Sequence, residues 1–298
     1  MASADIESQA KKEPLFWSHL LGWFRSIPRT ALLSMVGPSL LLLIGYFGWL
    51  FYGAHHYEKT FYGIKKEDVL LTQPDWLKSS ITDDVFRASG LEHLSIFDNQ
   101  ATAVIARAFD SHPSVRKTQQ VQLVAGGRVL VKAEFRQPVA MVHCEGEDGS
   151  SSFLPIDREG VLLPREHFQE GDVPRYIWIY AAGIRDSDER LEGRRFGDTR
   201  IEQAAELCAL LAPHREYAKI RRVNVYGSGQ SRRGWVFELI TAAGADKPGP
   251  RIKWGCAIGL EGIAEPSASN KLSRLLDAAS NRTLWSRESL DLTVSDRD

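Results

Sequence analysis

VLVKAEFRQPVA, Val129 to Ala140, alternates apolar and polar residues and then meets a proline. The two-residue period of an extended chain makes Val129, Val131, Ala133 and Phe135 an inward set, with Arg128, Lys132, Glu134 and Arg136 facing the other way. Only Leu130 breaks the alternation. Pro138 has no N–H to give a ladder, so it belongs at an edge or just beyond the last paired residue. The stretch reads as a half-buried strand ending at a border.

Before that border, HPSVRKTQQVQLV and RVLVKAEFR form a hairpin around Ala125, Gly126 and Gly127. Upstream, Ala101, Val104, Ile105, Ala108 and Phe109 recur at three-and-four spacing, a helix capped by Asp98 or Asn99. Ser80 followed by Asp83 has the capping-box form and Gly90 is a natural stop, so Thr82 to Ser89 is a short helix. LLTQPDWL, Leu70 to Leu77, is a short strand. The order strand, helix, helix, strand, strand defines a small domain, 67–138, whose helices must share one sheet face to make a core.

Beyond the border come short strands joined by turns: VAMVHCE, SSFLPID, a tight DREG turn, VLLP, and then RYIWIYAAG. DTRIEQAAELCALLAPH is a helix with a capping box at Thr199 and Glu202, a stripe of Ile201, Ala204, Ala205, Cys208 and Leu211, and Pro213 as its stop. IRRVNVYG and RGWVFELIT follow as strands around the loop SGQS, then PRIKWGCAI. A last helix, NKLSRLLDAAS, places Leu272, Leu275, Leu276 and Ala279 on one face, and LWSRESLDLTV, Leu284 to Val294, is a closing strand. Residues 139–298 are expected to be a mixed β-sheet domain with two helices, and the whole belongs to the α+β class.

Charge is balanced over the 298 residues, 37 basic against 38 acidic, and gives no reason to expect nucleic acid as a partner. The exception to soluble composition is Thr30 to Tyr57, which contains no Asp, Glu, Lys or Arg. As a helix rising about 1.5 Å per residue it reaches across a hydrocarbon core of about 30 Å. A cleaved signal peptide or a buried core helix are the alternatives. The length of the run, and Tyr46, Phe47, Trp49, Phe51 and Tyr52 near its end, favour a bilayer span. Lys11, Lys12, Arg25 and Arg29 precede it, so residues 1–29 are expected to be a cytoplasmic tail and the bulk of the chain extracytoplasmic. The three cysteines, Cys144, Cys208 and Cys256, are too few for a disulfide scaffold and read as small buried side chains, with one bridge between two of them as the alternative.

Enzyme chemistry finds little footing. His143, Cys144 and Asp157 lie in one hairpin region, but adjacent strand positions face opposite ways, so His143 and Cys144 do not meet. YGSGQS lacks the phosphate-loop form and precedes a strand. No metal spacing is present, so no cofactor and no small-molecule substrate are expected. The positive case is binding. A terminal strand leaves an edge with unpaired N–H and C=O groups, and an extended partner segment adds there as another strand. The candidate acceptor is Ser289, Leu290, Asp291, Leu292, Thr293 and Val294. Arg232 and Arg233, ahead of Trp235, offer guanidinium groups to partner carboxylates; the alternative is a solvated turn beside a core tryptophan.

The order of these segments resembles the bacterial FtsQ/DivIB cell-division family, whose small domain is the POTRA module. HPSVRKTQQVQLV resembles the family's first hairpin strand, KAEFRQPVA its exit from the module, and FLPIDREGVLLP its following hairpin. RRGWVFELITAAG with RIKWGCAIG resembles its paired strands, NKLSRLLDAA its helix opening, and SLDLTV its closing strand. Thr293 stands where the family carries a basic residue, and WGC at Trp254 to Cys256 departs from its pattern. The resemblance implies a non-catalytic, single-pass inner-membrane scaffold at the division site. Its terminal strand and the basic residues before Trp235 would contact FtsB/FtsL-type coiled-coil subunits, and its POTRA-like module other membrane proteins of the division complex. A POTRA-bearing envelope protein for secretion or outer-membrane assembly is the alternative, followed by an envelope hydrolase.

Overall fold

The computed structural model describes residues 29–53, 63–146, 149–187, 190–227, 234–244 and 247–294. The chain divides into two units, Met1–Gly63 and Ile64–Asp298. In the first, helix α1, Arg29–Gly48, contains Pro38 and passes into a π-helical turn, Trp49–Gly53. Val36, Leu40 to Ile44, Phe51 and Tyr52 are all exposed. The expected membrane span falls partly on this helix, from Thr30, and ends at Tyr57, outside the described residues. Among the described residues no helix is long and apolar enough to cross a membrane.

Among its described residues the second unit contains two sheets. The smaller has three strands, β1 (Val69–Leu71), β2 (Val115–Val124) and β3 (Arg128–Phe135), in the order β1-β3-β2. β3 is central. Val129 faces Val69 on one side and Leu123 on the other. Helices α2 (Ile81–Ser89) and α3 (Ala101–Asp110) cover the face that the alternation of β3 makes apolar. Val129 and Val131 share one core with Ile81, Val85, Phe86, Ile105 and Phe109, while Ala133 and Phe135 pack partly buried against it. Each such large side chain removed from water contributes about 1.5–3 kcal/mol. Ser80 caps α2 by accepting the Asp83 N–H at 3.3 Å, and Gly90 ends it in the left-handed region. Gln100 occupies the cap position of α3, and Asp98 braces the preceding turn by accepting the Gln100 N–H at 2.8 Å. The strand expected over Leu70 to Leu77 is shorter, because Pro74 opens a turn closed by the Leu77 N–H.

The larger sheet has seven strands: β4 (Pro138–Glu145), β5 (Ser151–Asp157), β6 (Ile177–Ala181), β7 (Ile220–Gly227), β8 (Trp235–Ala242), β9 (Pro248–Gly255) and β10 (Ser289–Asp291). Their order is β10-β9-β8-β7-β6-β4-β5. Pro138 is the first residue of β4, a position that costs no ladder bond. The polypeptide thus leaves the small sheet at Phe135 and enters the large one at Pro138.

Three pairings in this sheet are parallel, β4 with β6, β6 with β7 and β9 with β10; the last two are between consecutive strands, which a tight turn cannot join in parallel, and so use crossover helices. α4 (Thr199–Leu211) links parallel β6 and β7, and α5 (Ala268–Ser280) links parallel β9 and β10. The α4 stripe Ile201, Ala204, Ala205, Cys208 and Leu211 is buried throughout, joined by Leu207. Its cap is Asp198 and not Thr199: the Asp198 carboxylate accepts the Arg200 N–H at 2.9 Å. The closing strand is also shorter than Leu284 to Val294. Thr283–Ser286 forms a 3-10 turn, and only Ser289–Asp291 pairs.

The residue just before Pro138 in the opening stretch's polar set ties the two sheets together. Arg136 Nη1 lies 2.6 Å from Asp157 Oδ2 and 3.2 Å from Glu159 Oε2. Arg116 bridges Glu134 at 2.7 Å and Glu159 at 2.6 Å. Asp157 Oδ1 in turn accepts the Glu159 N–H at 2.8 Å and the Val161 N–H at 2.9 Å, which shapes the DREG turn. Burial alone would raise the Glu159 carboxyl, but hydrogen bonds from Arg136 and Arg116 prevail and hold it below its ordinary value. A second contact lies beside it: Trp76 stacks on Phe168 and meets His167 edge-on, both at 5.7 Å, and Lys78 pairs with Asp172 at 2.8 Å.

Candidate partner interface at the sheet edge

β10 is one edge of the seven-stranded sheet. Among the described residues it pairs only with β9, in parallel, placing Ser289 beside Arg251, Leu290 beside Ile252 and Asp291 beside Lys253. Leu290 and Leu292 are buried, 8% and 0% exposed, so they serve the core and do not face a partner. Ser289 and Asp291 are exposed. The Leu292 N–H donates to the Lys253 C=O at 3.0 Å. With the alternation of a strand, Leu290 and Leu292 turn their backbone groups toward β9, and Ser289 and Asp291 turn theirs outward.

Asp291 limits how far that edge runs. Its Oδ1 accepts both the Thr293 N–H at 2.8 Å and the Thr293 hydroxyl at 2.6 Å, and its Oδ2 accepts Lys253 Nζ at 2.9 Å. Burial would raise the Asp291 carboxyl, but these bonds from Thr293 and Lys253 hold it below its ordinary value. The Thr293 N–H is therefore already engaged. Val294 is half exposed, and its C=O accepts Arg274 Nη1 from α5 at 2.6 Å.

Behind the edge stands a buried ion pair that the sequence reading missed. Lys271 of α5 is fully buried, with its Nζ 2.5 Å from Glu265 Oε1 and 5.3 Å from the centre of the Trp254 ring. The same Glu265 oxygen accepts the Cys256 N–H at 2.8 Å. Burial opposes the Glu265 charge, yet bonds from Lys271 and Cys256 keep its carboxyl below the ordinary value. Gly255, at φ +96, permits this arrangement: a Cβ there would sit 2.7 Å from Thr293 Cγ2 and closer still to the Glu265 carboxylate. Lysine is rarely found inside a protein unless paired, so no periodicity in NKLSRLLDAAS marks it.

Trp235 begins β8 and packs, partly buried, against the main core, with the Arg200 guanidinium 5.5 Å from its ring centre. Arg232 and Arg233 lie outside the described residues. The registers Phe237 with Gly255 and Asp291 with Lys253 put the start of β8 and the end of β10 at the same end of the sheet. Only β9 separates them, a span of about 10 Å. Trp235 and the terminal strand are thus brought together as neighbours, one facing the core and the other presenting an edge.

The groups that invite an enzyme reading are dispersed into other partnerships. Cys144 is buried in the main core, its thiol pushed up to about 12 by burial first. His143 faces the opposite side, 3.1 Å from the Ser151 hydroxyl, edge-on to Phe153 and tilted against Tyr180. Asp157 is bound to Arg136, and Asp291 to Lys253. Burial also raises the Cys208 thiol. Among the described residues no group of His, Cys, Asp and Glu is placed to hold a metal ion. No protein-family model matches the chain, and no curated protein matches it.

Proposed function

We propose that this chain is a non-catalytic, single-pass scaffold of a bacterial division complex, of FtsQ/DivIB type. The uncharged segment Thr30 to Tyr57, longer than α1, serves as the inner-membrane span, with residues 1–29 on the cytoplasmic side and the two-sheet unit outside. The β10 edge takes a strand from an FtsB/FtsL-type coiled-coil subunit, and the small three-stranded domain contacts other membrane proteins of the complex.

The observation that carries this reading is the open terminal edge, where Ser289 and Asp291 turn away from β9 beside the buried Leu290 and Leu292. A strand added there gains backbone bonds, each worth only about 0.5–1.5 kcal/mol net. So short an edge binds weakly by itself. A membrane tether raises the effective concentration of both partners, and further contacts near the start of β8 add to it. Ion pairs of Arg136 with Asp157 and Glu159 and of Arg116 with Glu159 tie the small domain to the large sheet that carries the β10 edge.

The test is Ser289→Pro. Proline removes an outward N–H without touching the ladder to β9, so the fold should melt as the parent does. Capture of the purified coiled-coil partner by the full-length protein should fall about tenfold or more. Unchanged capture would contradict strand addition at β10.

A further inference from the structure

The seven-stranded sheet has a second edge, β5, at the side opposite β10. Half of it is closed by the segment that follows the DREG turn. The Asp157 N–H donates to the Val161 C=O at 3.0 Å, and the Leu163 N–H to the Pro155 C=O at 2.9 Å. The next rung would join Arg165 to Phe153. It does not form: Pro164 turns the chain aside, and the Arg165 N–H goes to Glu192 Oε1 at 3.0 Å. Bonding direction alternates along a strand, so Phe153 and Ser151 turn their N–H and C=O outward, as Asp157 does its N–H and Pro155 its C=O. Among the described residues no backbone group meets them on that side.

Beside the open rungs lies a groove of about 510 Å³ with a mixed lining: Met141, Phe153, Phe168, Val173 and Trp178 give it an apolar side, and Arg165, Gln169 and Glu170 a polar one. Its floor is fixed. The Trp178 indole N–H donates to the Val173 C=O at 3.0 Å, and the Phe153 ring lies 5.0 Å from Trp178. A fixed apolar floor takes up a side chain without first ordering itself.

We infer that β5 is a second strand-accepting edge, which takes an extended peptide segment pairing with Ser151 and Phe153 and lodging a bulky apolar side chain in the groove. The occupant is extended because the open groups are backbone donors and acceptors at two-residue spacing. It carries an apolar anchor because Phe153, Phe168, Val173 and Trp178 form one side of the groove. Alternate pockets beside an unpaired edge are the usual basis of such recognition. The inference is independent of β10, which lies at the other end of the strand order.

The test uses the full-length protein and fluorescein-labelled, N-acetylated peptides Thr-Val-Thr-Xaa-Thr-Val, with Xaa as Trp, Phe, Leu or Met in turn. At least one should give saturable anisotropy below about 1 mM. Hydrogen exchange at the Ser151 and Phe153 amides should then slow about tenfold, since opening a bonded amide is required for exchange. The same peptide with alternate amides N-methylated should bind about tenfold more weakly, as should the parent peptide to Val173→Glu. Ser289→Pro should leave binding unchanged, which separates this edge from β10. Should Val173→Glu fail to fold, the N-methylated peptide on the unaltered protein decides alone. Failure of every peptide to saturate, or indifference to N-methylation, would overturn the inference, as would loss of binding in Ser289→Pro.

Discussion

Replacing Arg136 with Met should weaken the whole two-sheet unit, although Arg136 belongs to neither hydrophobic core. Its side chain is 15% exposed and Asp157 only 4%, with 2.6 Å between Nη1 and Oδ2. Removing one partner of a buried pair costs about 3–5 kcal/mol, because the remaining charge stays buried without its counterion. Asp157 keeps two backbone donors, from Glu159 and Val161, so the lower end, about 3 kcal/mol, applies. That corresponds to a fall in melting temperature of roughly 6–12 °C for a unit of this size. The assay is a double-mutant cycle of Arg136→Met and Asp157→Asn, by chemical denaturation of the full-length protein followed through tryptophan fluorescence. The double variant should lose less than the sum of the singles by about 2 kcal/mol. Single variants within about 0.5 kcal/mol of the parent, or strict additivity, would refute the account of the joint.

Acid should act first on the histidines of the joint. His167, buried against Trp76, and His112, whose Nδ1 accepts the Ser114 N–H at 3.2 Å, are both held below their ordinary value, by burial above all. A lowered folded value means that the unfolded chain takes up a proton the folded chain refuses. Stability therefore falls as pH drops through about 6.5 toward the folded values. Melting between pH 8 and pH 5 should show that slope, and His167→Gln should flatten it. The lowered carboxyls of Glu159, Glu265 and Asp291 add a separate loss, below about pH 4.5. Gly255→Ala should destabilise by about 2 kcal/mol or more, through its left-handed backbone and the collision of a Cβ with Glu265 and Thr293, and thermal melting checks it. Leu292→Lys should melt the terminal edge outright, since it puts a charge at a 0% exposed position, and would show as lost protection from proteolysis at the C-terminus.

The two helices and the hairpin of the small domain were legible because each obeys one local rule, whereas the first strand read too long past Pro74. β3 alternates, α2 has both its cap serine and its stop glycine, and the Ala125 to Gly127 turn supplies two glycines at positive φ. Pro138 read as a border for the same reason. Strand order was not legible. That β6 lies between β4 and β7, and that β10 pairs in parallel, depends on helix crossovers packing over distant strands, which no window of sequence contains. The terminal strand read too long because Leu284 and Leu292 are buried alike, one in a 3-10 turn and the other past the strand end. At the interface, the edge itself was anticipated from its place in the chain. The supporting Lys271, Glu265 and Gly255 were not, because burial of a lysine and crowding at a glycine exist only after folding.

The central claim is that this protein is carried to the division site and held there by its terminal sheet edge. A fluorescent fusion at native expression, followed through the cell cycle, tests it most directly. The account predicts a band at the division site, and dispersal of a coiled-coil partner from that band when Ser289→Pro replaces the parent. A fusion spread evenly around the envelope, in cells that divide normally without the protein, would contradict it.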